Sequence, residues 1–286
     1  MTVALALTWN PRGELPRLHR LLPLFEQVYT GLTICFPPAV DALFIQQVRE
    51  MLAGSPAASV KDAQVHSSLF QWKLVESPVW SWGRYLALQT ALEIPASHIQ
   101  YADLDRLLRW AETRSEEWRA TTEKIQDCDF LIIGRTQAAY ATHPQALVQT
   151  EAISNQIVSH LLGQAVDVSA GSKGFSRKAA EFILANSQPG HALGMDGEWP
   201  VLAQRGGFRV DYTMVDGLDW ESADRYQSQA ASLDHQRQAA EAYDASPHHW
   251  ARRVAIAQEI VKCSLEAAQR ELVFGDRESV RPDSPR

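Results

Sequence analysis

The first hundred residues alternate between two kinds of segment, and that alternation restricts the fold more than any other feature of the chain. Val3 to Thr8 is a short apolar run followed by Asn10-Pro11, a pair suited to a helix cap and a first helical position. Leu15, Leu18, Leu22, Phe25 and Val28 then recur at helical spacing. Gly31 to Phe36 (GLTICF) is a second apolar run closed by Pro37-Pro38, and Ala39 to Ala53 reads as a second helix. Continuous apolar runs joined by amphipathic helices predict a mostly parallel sheet covered on both faces, an α/β chain of three layers.

The pattern continues with less regularity. Ser55 to Gln71 is ambiguous, with Val60 and Val65 as hints of short strands, and Trp80 to Glu93 predicts a helix. His98 to Ala102 is a short strand, Leu104 to Gln126 a helix, Phe130 to Gly134 a strand and Gln145 to Leu162 another helix. Val166 to Ser169 is strand-like and runs into AGSKGFSR (Ala170 to Arg177), with a helix from Lys178 to Ala185. Gly194 to Gly207 predicts a short helix stopped by two glycines, and Phe208 to Val215 a late strand. From Ala223 the chain is helical with a break at Ser246-Pro247, after which Trp250, Val254, Ala257, Val261, Leu265, Ala268 and Leu272 share one face. These readings divide the chain into an α/β domain over 1–222, a helical extension over 223–274 packed on it, and a polar, Pro-bearing tail over 275–286.

Composition excludes several classes. With 286 residues, 45% of them hydrophobic, the chain can bury a full core, and a net charge of -7 argues against a nucleic-acid binder. Cys35, Cys128 and Cys263 are few, far apart and without Cys-x-x-Cys spacing, so neither a disulfide framework nor a zinc cluster is expected, and a reducing cytoplasm is the natural setting. The start MTVALALTWNPRG lacks a secretory signal's basic region, and no apolar run approaches the roughly 18 residues that span a bilayer. The apolar face of the last helix is a candidate homodimer contact.

Chemistry concentrates in HIQYADLDR, His98 to Arg106. Asp103 and Asp105 stand two apart at the end of a strand, so both carboxylates can address one ligand, and paired hard oxygen donors beside phosphate suit Mg²⁺ or Mn²⁺. A second Asp-x-Asp, Asp127 and Asp129, precedes a strand instead of following one, away from where open α/β sheets bind ligands.

Taken in order, ALTWNPRGELPRLHRLL, the helix carrying Gly83 and Arg84, YADLDR, AGSKGFSR and the acidic turn GMDGEWP make Val3 to Glu221 resemble the GT-A glycosyltransferases, the nucleotide-diphospho-sugar transferase superfamily. The resemblance implies a Rossmann-like three-layer domain that takes a nucleotide sugar and a divalent cation. It implies base contacts from Thr8, Trp9 and Asn10, phosphate or acidic-motif pairing by Arg84, ribose or sugar contact by Asp103 and metal binding by Asp105, with Asp103 a second ligand. Ser172 and Lys173 would line the donor-sugar and acceptor side, and Asp196 or Glu198 would be the base of an inverting enzyme. His248, beside His249 at a helix start, is a further candidate ligand, and Asp216 to Tyr226 a candidate lid. Plainer roles stand beside these: a helix cap and first-turn acid for Asp196 and Glu198, a salt-bridged helix residue for Arg84, core for Trp9 and a polar turn for Ser172-Lys173.

The sequence departs from the family in lacking a basic cluster beyond Arg84 and Lys173, and in lacking the Gln-x-x-Arg-Trp run of processive members. A nucleotidyltransferase of similar fold is the alternative enzyme, disfavoured by the missing Gly-rich basic loop after Thr8. A non-catalytic nucleotide-binding or scaffolding protein is the alternative outside enzymes.

Overall fold

The computed structural model describes residues 2–54 and 70–274; the strand hints at Val60 and Val65 and the tail from Gly275 lie outside them. In chain order the elements are β1 (Val3–Thr8), α1 (Leu15–Val28), β2 (Gly31–Phe36), α2 (Ala42–Ala53), β3 (Gln71–Glu76), α3 (Gly83–Ala91), β4 (His98–Asp103), α4 (Leu104–Thr113) and α5 (Ser115–Ile125). There follow β5 (Phe130–Arg135), α6 (Gln137–Tyr140), α7 (Gln145–Leu162), β6 (Ser172–Ser176), α8 (Arg177–Asn186), α9 (Met195–Arg205), β7 (Val210–Val215), α10 (Leu233–Asp244) and α11 (Pro247–Gln269).

The seven strands form one sheet in the order β3-β2-β1-β4-β6-β5-β7. All neighbours run parallel except β6, which is antiparallel to both β4 and β5. Side-chain alternation splits the core into two layers: Leu5 and Leu7 of β1 face Leu18, Phe25, Val48, Leu107 and Trp118, while Ala4 and Ala6 face Leu88, Val158, Trp199 and Ile260. Both faces are therefore covered by helices, as expected of a three-layer α/β/α domain. Fully burying a Leu or Phe side chain contributes about 1.5–3 kcal/mol, so these layers dominate the stability. Among the described residues no helix is long and apolar enough to cross a membrane.

Several boundaries differ from the sequence reading, each for a local reason. The first helix begins at Leu15, not at Pro11, because Glu14 takes the Arg12 N–H and, at 3.1 Å, the Trp9 indole N–H. Residues 9–12 thereby remain a loop. The second helix starts at Ala42 behind Asp41, whose carboxylate accepts the Leu43 N–H at 2.8 Å. Residues 80–82 form a 3₁₀ turn ahead of α3. The helix expected over 104–126 is two, broken at Arg114 (φ -143°, ψ 51°), with Trp110 Nε1 donating to Glu117 across the bend.

Val166 to Ser169 is not a strand. Side chains of α7 occupy its backbone donors: the Ser159 hydroxyl accepts the Val166 N–H at 2.9 Å, and Asn155 Oδ1 accepts the Val168 N–H at 3.0 Å. The strand lies further on, in the polar Ser172–Ser176. β3 went unpredicted, an edge strand of half-exposed residues that pairs with β2. Gly31 is needed there, since a Cβ would sit 2.4 Å from the Gln71 carbonyl oxygen. Helix α10 begins only at Leu233, where the Ser232 hydroxyl caps it, and residues 221–224 form a 3₁₀ turn. On α11 the buried stripe is Ala257, Ile260, Cys263, Ser264 and Ala267, while Val254 and Leu265 are exposed. Small residues win because α9 comes so near: a Cβ on Gly197 would lie 2.0 Å from Ser264 Oγ.

Candidate active site

The strand order changes direction between β1 and β4, and such a switch point opens a crevice at the carboxyl ends of the strands. Thr8 and Asp103, the last residues of these strands, are register partners. Around them lies a cleft with a cavity volume of about 190 Å³. Thr8, Trp9, Asn10, Arg84, Asp103 and Asp105 all line it. The fold thus gathers into one place six residues that the sequence spreads over nearly a hundred positions.

Asp103 is a held carboxylate. It accepts Thr8 Oγ1 at 2.6 Å and the Tyr101 hydroxyl at 2.8 Å, and the Arg84 guanidinium lies 3.2 Å from both its oxygens. Burial would raise its pKa, but Arg84, Arg106 and these two hydroxyls outweigh it and hold the group at about 2. Gly171 (φ +72°) lets the chain pass close by: a Cβ there would be 3.2 Å from both Asp103 Oδ2 and Arg106 Nη1.

Asp105 is the opposite case. Its Oδ1 accepts the neighbouring Arg106 N–H at 3.0 Å. Burial and the negative charges of Glu221 and Asp103 push its pKa up to about 7 against the pull of Arg106. Glu221 also lines the cleft, and its buried Oε2 has no hydrogen bond among the described residues, with Arg106 Nε 3.6 Å away. Three carboxylates thus face one cleft, and the two with spare oxygen lone pairs, Asp105 and Glu221, oppose each other electrostatically. Hard oxygen donors with spare lone pairs fit Mg²⁺ or Mn²⁺.

Sequence reasoning missed Glu221, and it missed most of the positive charge. Arg12, Arg106 and Arg252 line the cleft together with Arg84. Arg12 comes from the loop after β1 and Arg252 from the first turns of α11. Lys173, expected on the donor-sugar and acceptor side, is fully buried within β6, where Nζ donates to Asp196 and to the Val168 carbonyl. Ser172 is buried too, its hydroxyl donating to the Tyr101 carbonyl at 3.3 Å.

The remaining candidates fall at graded distances from the cleft. Asp196 lines a small cavity of about 30 Å³ that shares Asp103 and Arg106 with it. Glu198 is fully buried and outside both, accepting Ser187 Oγ and Arg270 Nη1 at 2.7 Å each. His248 is exposed, four residues before Arg252 on α11, and is not among the cleft's lining residues. His249 stacks on Tyr243 with ring centroids 3.9 Å apart.

Trp9 is 2% exposed, its ring packed against Phe36 and Phe44. The aromatic face open at the cleft belongs to Trp80, 46% exposed, with the Arg84 guanidinium 5.8 Å above the ring. The segment named as a candidate lid carries ion pairs to the body of the domain. Arg109 binds Asp219 and Asp224 at 2.7 Å, and Arg17 binds Asp224 at 3.0 Å. Asp129 of the second acidic tripeptide accepts the Arg209 N–H at 3.1 Å on the opposite, amino-terminal edge of the sheet.

No protein-family model matches the chain, and comparison with curated proteins finds no significant match.

Proposed function

We propose that this chain is a metal-dependent, non-processive glycosyltransferase that moves a sugar from a nucleotide-diphosphate sugar to a small acceptor. One observation carries the reading: Asp103, Asp105 and Glu221 meet Arg12, Arg84, Arg106 and Arg252 in a single cleft at the β1/β4 switch point. Carboxylates alone would repel a diphosphate, and arginines alone would hold any anion. Interleaved, they suit a diphosphate that arrives with a divalent cation, where Arg–phosphate forks set orientation and the carboxylates take the metal.

Asp105 and Glu221 are the residues that would hold Mn²⁺ or Mg²⁺, with Asp103 oriented by Thr8, Tyr101 and Arg84 toward the ribose or sugar. The metal would supply Lewis-acid stabilisation of charge on the departing diphosphate. Arg84 and Arg106 add fixed positive charge at the same oxygens, and the open ring of Trp80 offers a stacking face to a base or sugar. Transfer breaks the bond from the anomeric carbon to the phosphate oxygen and makes one to the acceptor oxygen, whose proton must leave. Asp196 is the candidate acceptor of that proton, since it lines a cavity that shares Asp103 and Arg106 with the cleft. Glu198 is committed to Ser187 and Arg270 and is not assigned that role.

The test is calorimetric titration of nucleoside diphosphates with and without Mn²⁺. Asp105→Ala is expected to abolish Mn²⁺-dependent binding while leaving the far-ultraviolet circular dichroism unchanged. Undiminished Mn²⁺-dependent binding in that variant would overturn the assignment. Release of a nucleoside diphosphate, not pyrophosphate, separates sugar transfer from nucleotidyl transfer.

A further inference from the structure

Away from the cleft, the C-terminal half of α11 meets the turn that joins α8 to α9, and a second set of donor atoms converges there. A ring nitrogen of His191, Cys263 Sγ and a carboxylate oxygen of Glu266 all lie within 4.8 Å of one another. Cys263 is buried and forms no disulfide. Glu266 follows it by three residues, which puts both on one face of the helix. A carboxylate stands beside the ring as a charge partner: Glu198 Oε1 is 3.0 Å from His191 Nδ1, without hydrogen-bond geometry, and Glu198 is itself fixed by Ser187 and Arg270.

We propose that His191, Cys263 and Glu266 bind a zinc-type divalent cation, at a site separate from the cleft and independent of the transferase reading. The nitrogen and sulfur donors choose the metal, because thiolate and imidazole favour Zn²⁺ while Mg²⁺ and Mn²⁺ prefer oxygen. Bond lengths near 2.0–2.3 Å put donors of a tetrahedral zinc site about 3.5 Å apart, so the present spacing closes with a side-chain movement of about 1 Å. Glu266, with 46% of its side chain exposed, can supply that movement, and the 22% exposure of His191 leaves a path from solvent. Binding breaks the Cys263 S–H bond, forms a sulfur–metal bond and releases the proton to water. Three protein ligands leave one position for water.

The site would staple α11 to the start of α9. Packing is already tight there, since a Cβ on Gly194 would lie 2.4 Å from Cys263 Sγ. The same helix carries Arg252 into the cleft, so the cation would fix the element that supplies one wall of the donor site.

Titration of the full chain with Co²⁺ tests the proposal. The expected result is a thiolate-to-cobalt charge-transfer band that saturates at one equivalent, is bleached by Zn²⁺, and is lost in Cys263→Ser. Glu266→Gln, a change at an exposed position, should weaken Zn²⁺ at least tenfold in competition with a chromophoric chelator, whereas Asp105→Asn should leave it unchanged. A cobalt complex without the thiolate band, or a band that survives Cys263→Ser, overturns the proposal. Loss of zinc affinity in Asp105→Asn would do so as well, by moving the ion to the cleft.

Discussion

Asp103 and Asp105 stand two residues apart, yet their carboxyl groups are driven in opposite directions, one to about 2 and the other to about 7. The difference lies in what each faces: two hydroxyls and Arg84 for the first, burial and Glu221 for the second. For Asp105 the sign of the stability effect follows directly. Its folded pKa lies above the unfolded value near 3.9, so between about pH 4 and 7 the folded chain holds the extra proton and stability falls as pH rises. Asp105→Asn should therefore raise the melting temperature at pH 8 and leave it nearly unchanged at pH 4, measured by calorimetry without added metal. An equal shift at both pH values would show that charge repulsion at Asp105 is not the cause. The sequence made this pair legible because its spacing and its place after a strand are local properties. Glu221, Arg12 and Arg252 were not legible as site residues: they come from separate segments, and only tertiary packing makes them neighbours of Asp103, while Arg106, inside the motif itself, carries no local signal that sets it apart from an ordinary helix arginine.

At the scale of elements, β1, β2 and β5 were readable because burial on both faces imposes near-continuous apolar runs, whereas β4 (HIQYAD) was readable as a short run between two helical patterns. β6 was not, because SKGFS satisfies its polar side chains through tertiary partners that no local pattern announces, such as Asp196 for Lys173. Within the candidate lid, Asp216 to Tyr226, the ion pairs that tie residues 219–224 to the helices were likewise not visible in the local pattern. They come from Arg109 and Arg17, 3% and 0% exposed respectively, reaching this turn from α4 and α1. Removing one partner of a buried ion pair leaves a desolvated charge behind, at a cost of about 3–5 kcal/mol. Arg109→Ala should lose about that much in urea denaturation, and because Glu221 begins this turn, Mn²⁺ affinity should fall with it. A loss below about 1 kcal/mol would mean that the 219–224 turn is held by something else.

Over the whole molecule, α11 is an extension by sequence and core by packing. Its residues Ile260 and Ala267 share one apolar layer with Val158 of α7, Trp199 of α9 and Phe175 of β6, and the same helix brings Arg252 to the cleft and Arg253 to 3.8 Å from Glu151. Binding geometry at one end of α11 and core packing along it are therefore coupled through a single rigid rod about three dozen ångströms long at 1.5 Å per residue. If the helix is integral, weakening its packing should weaken the entire fold in one step. Ile260→Ala, at 1% exposure, removes buried methyl groups and should cost about 2–5 kcal/mol. Tryptophan fluorescence and far-ultraviolet circular dichroism should then report the same urea midpoint, as a two-state transition requires. Two separated midpoints, with an early loss of helix signal, would instead make α11 an appended unit that unfolds on its own and would uncouple Arg252 from the stability of the sheet.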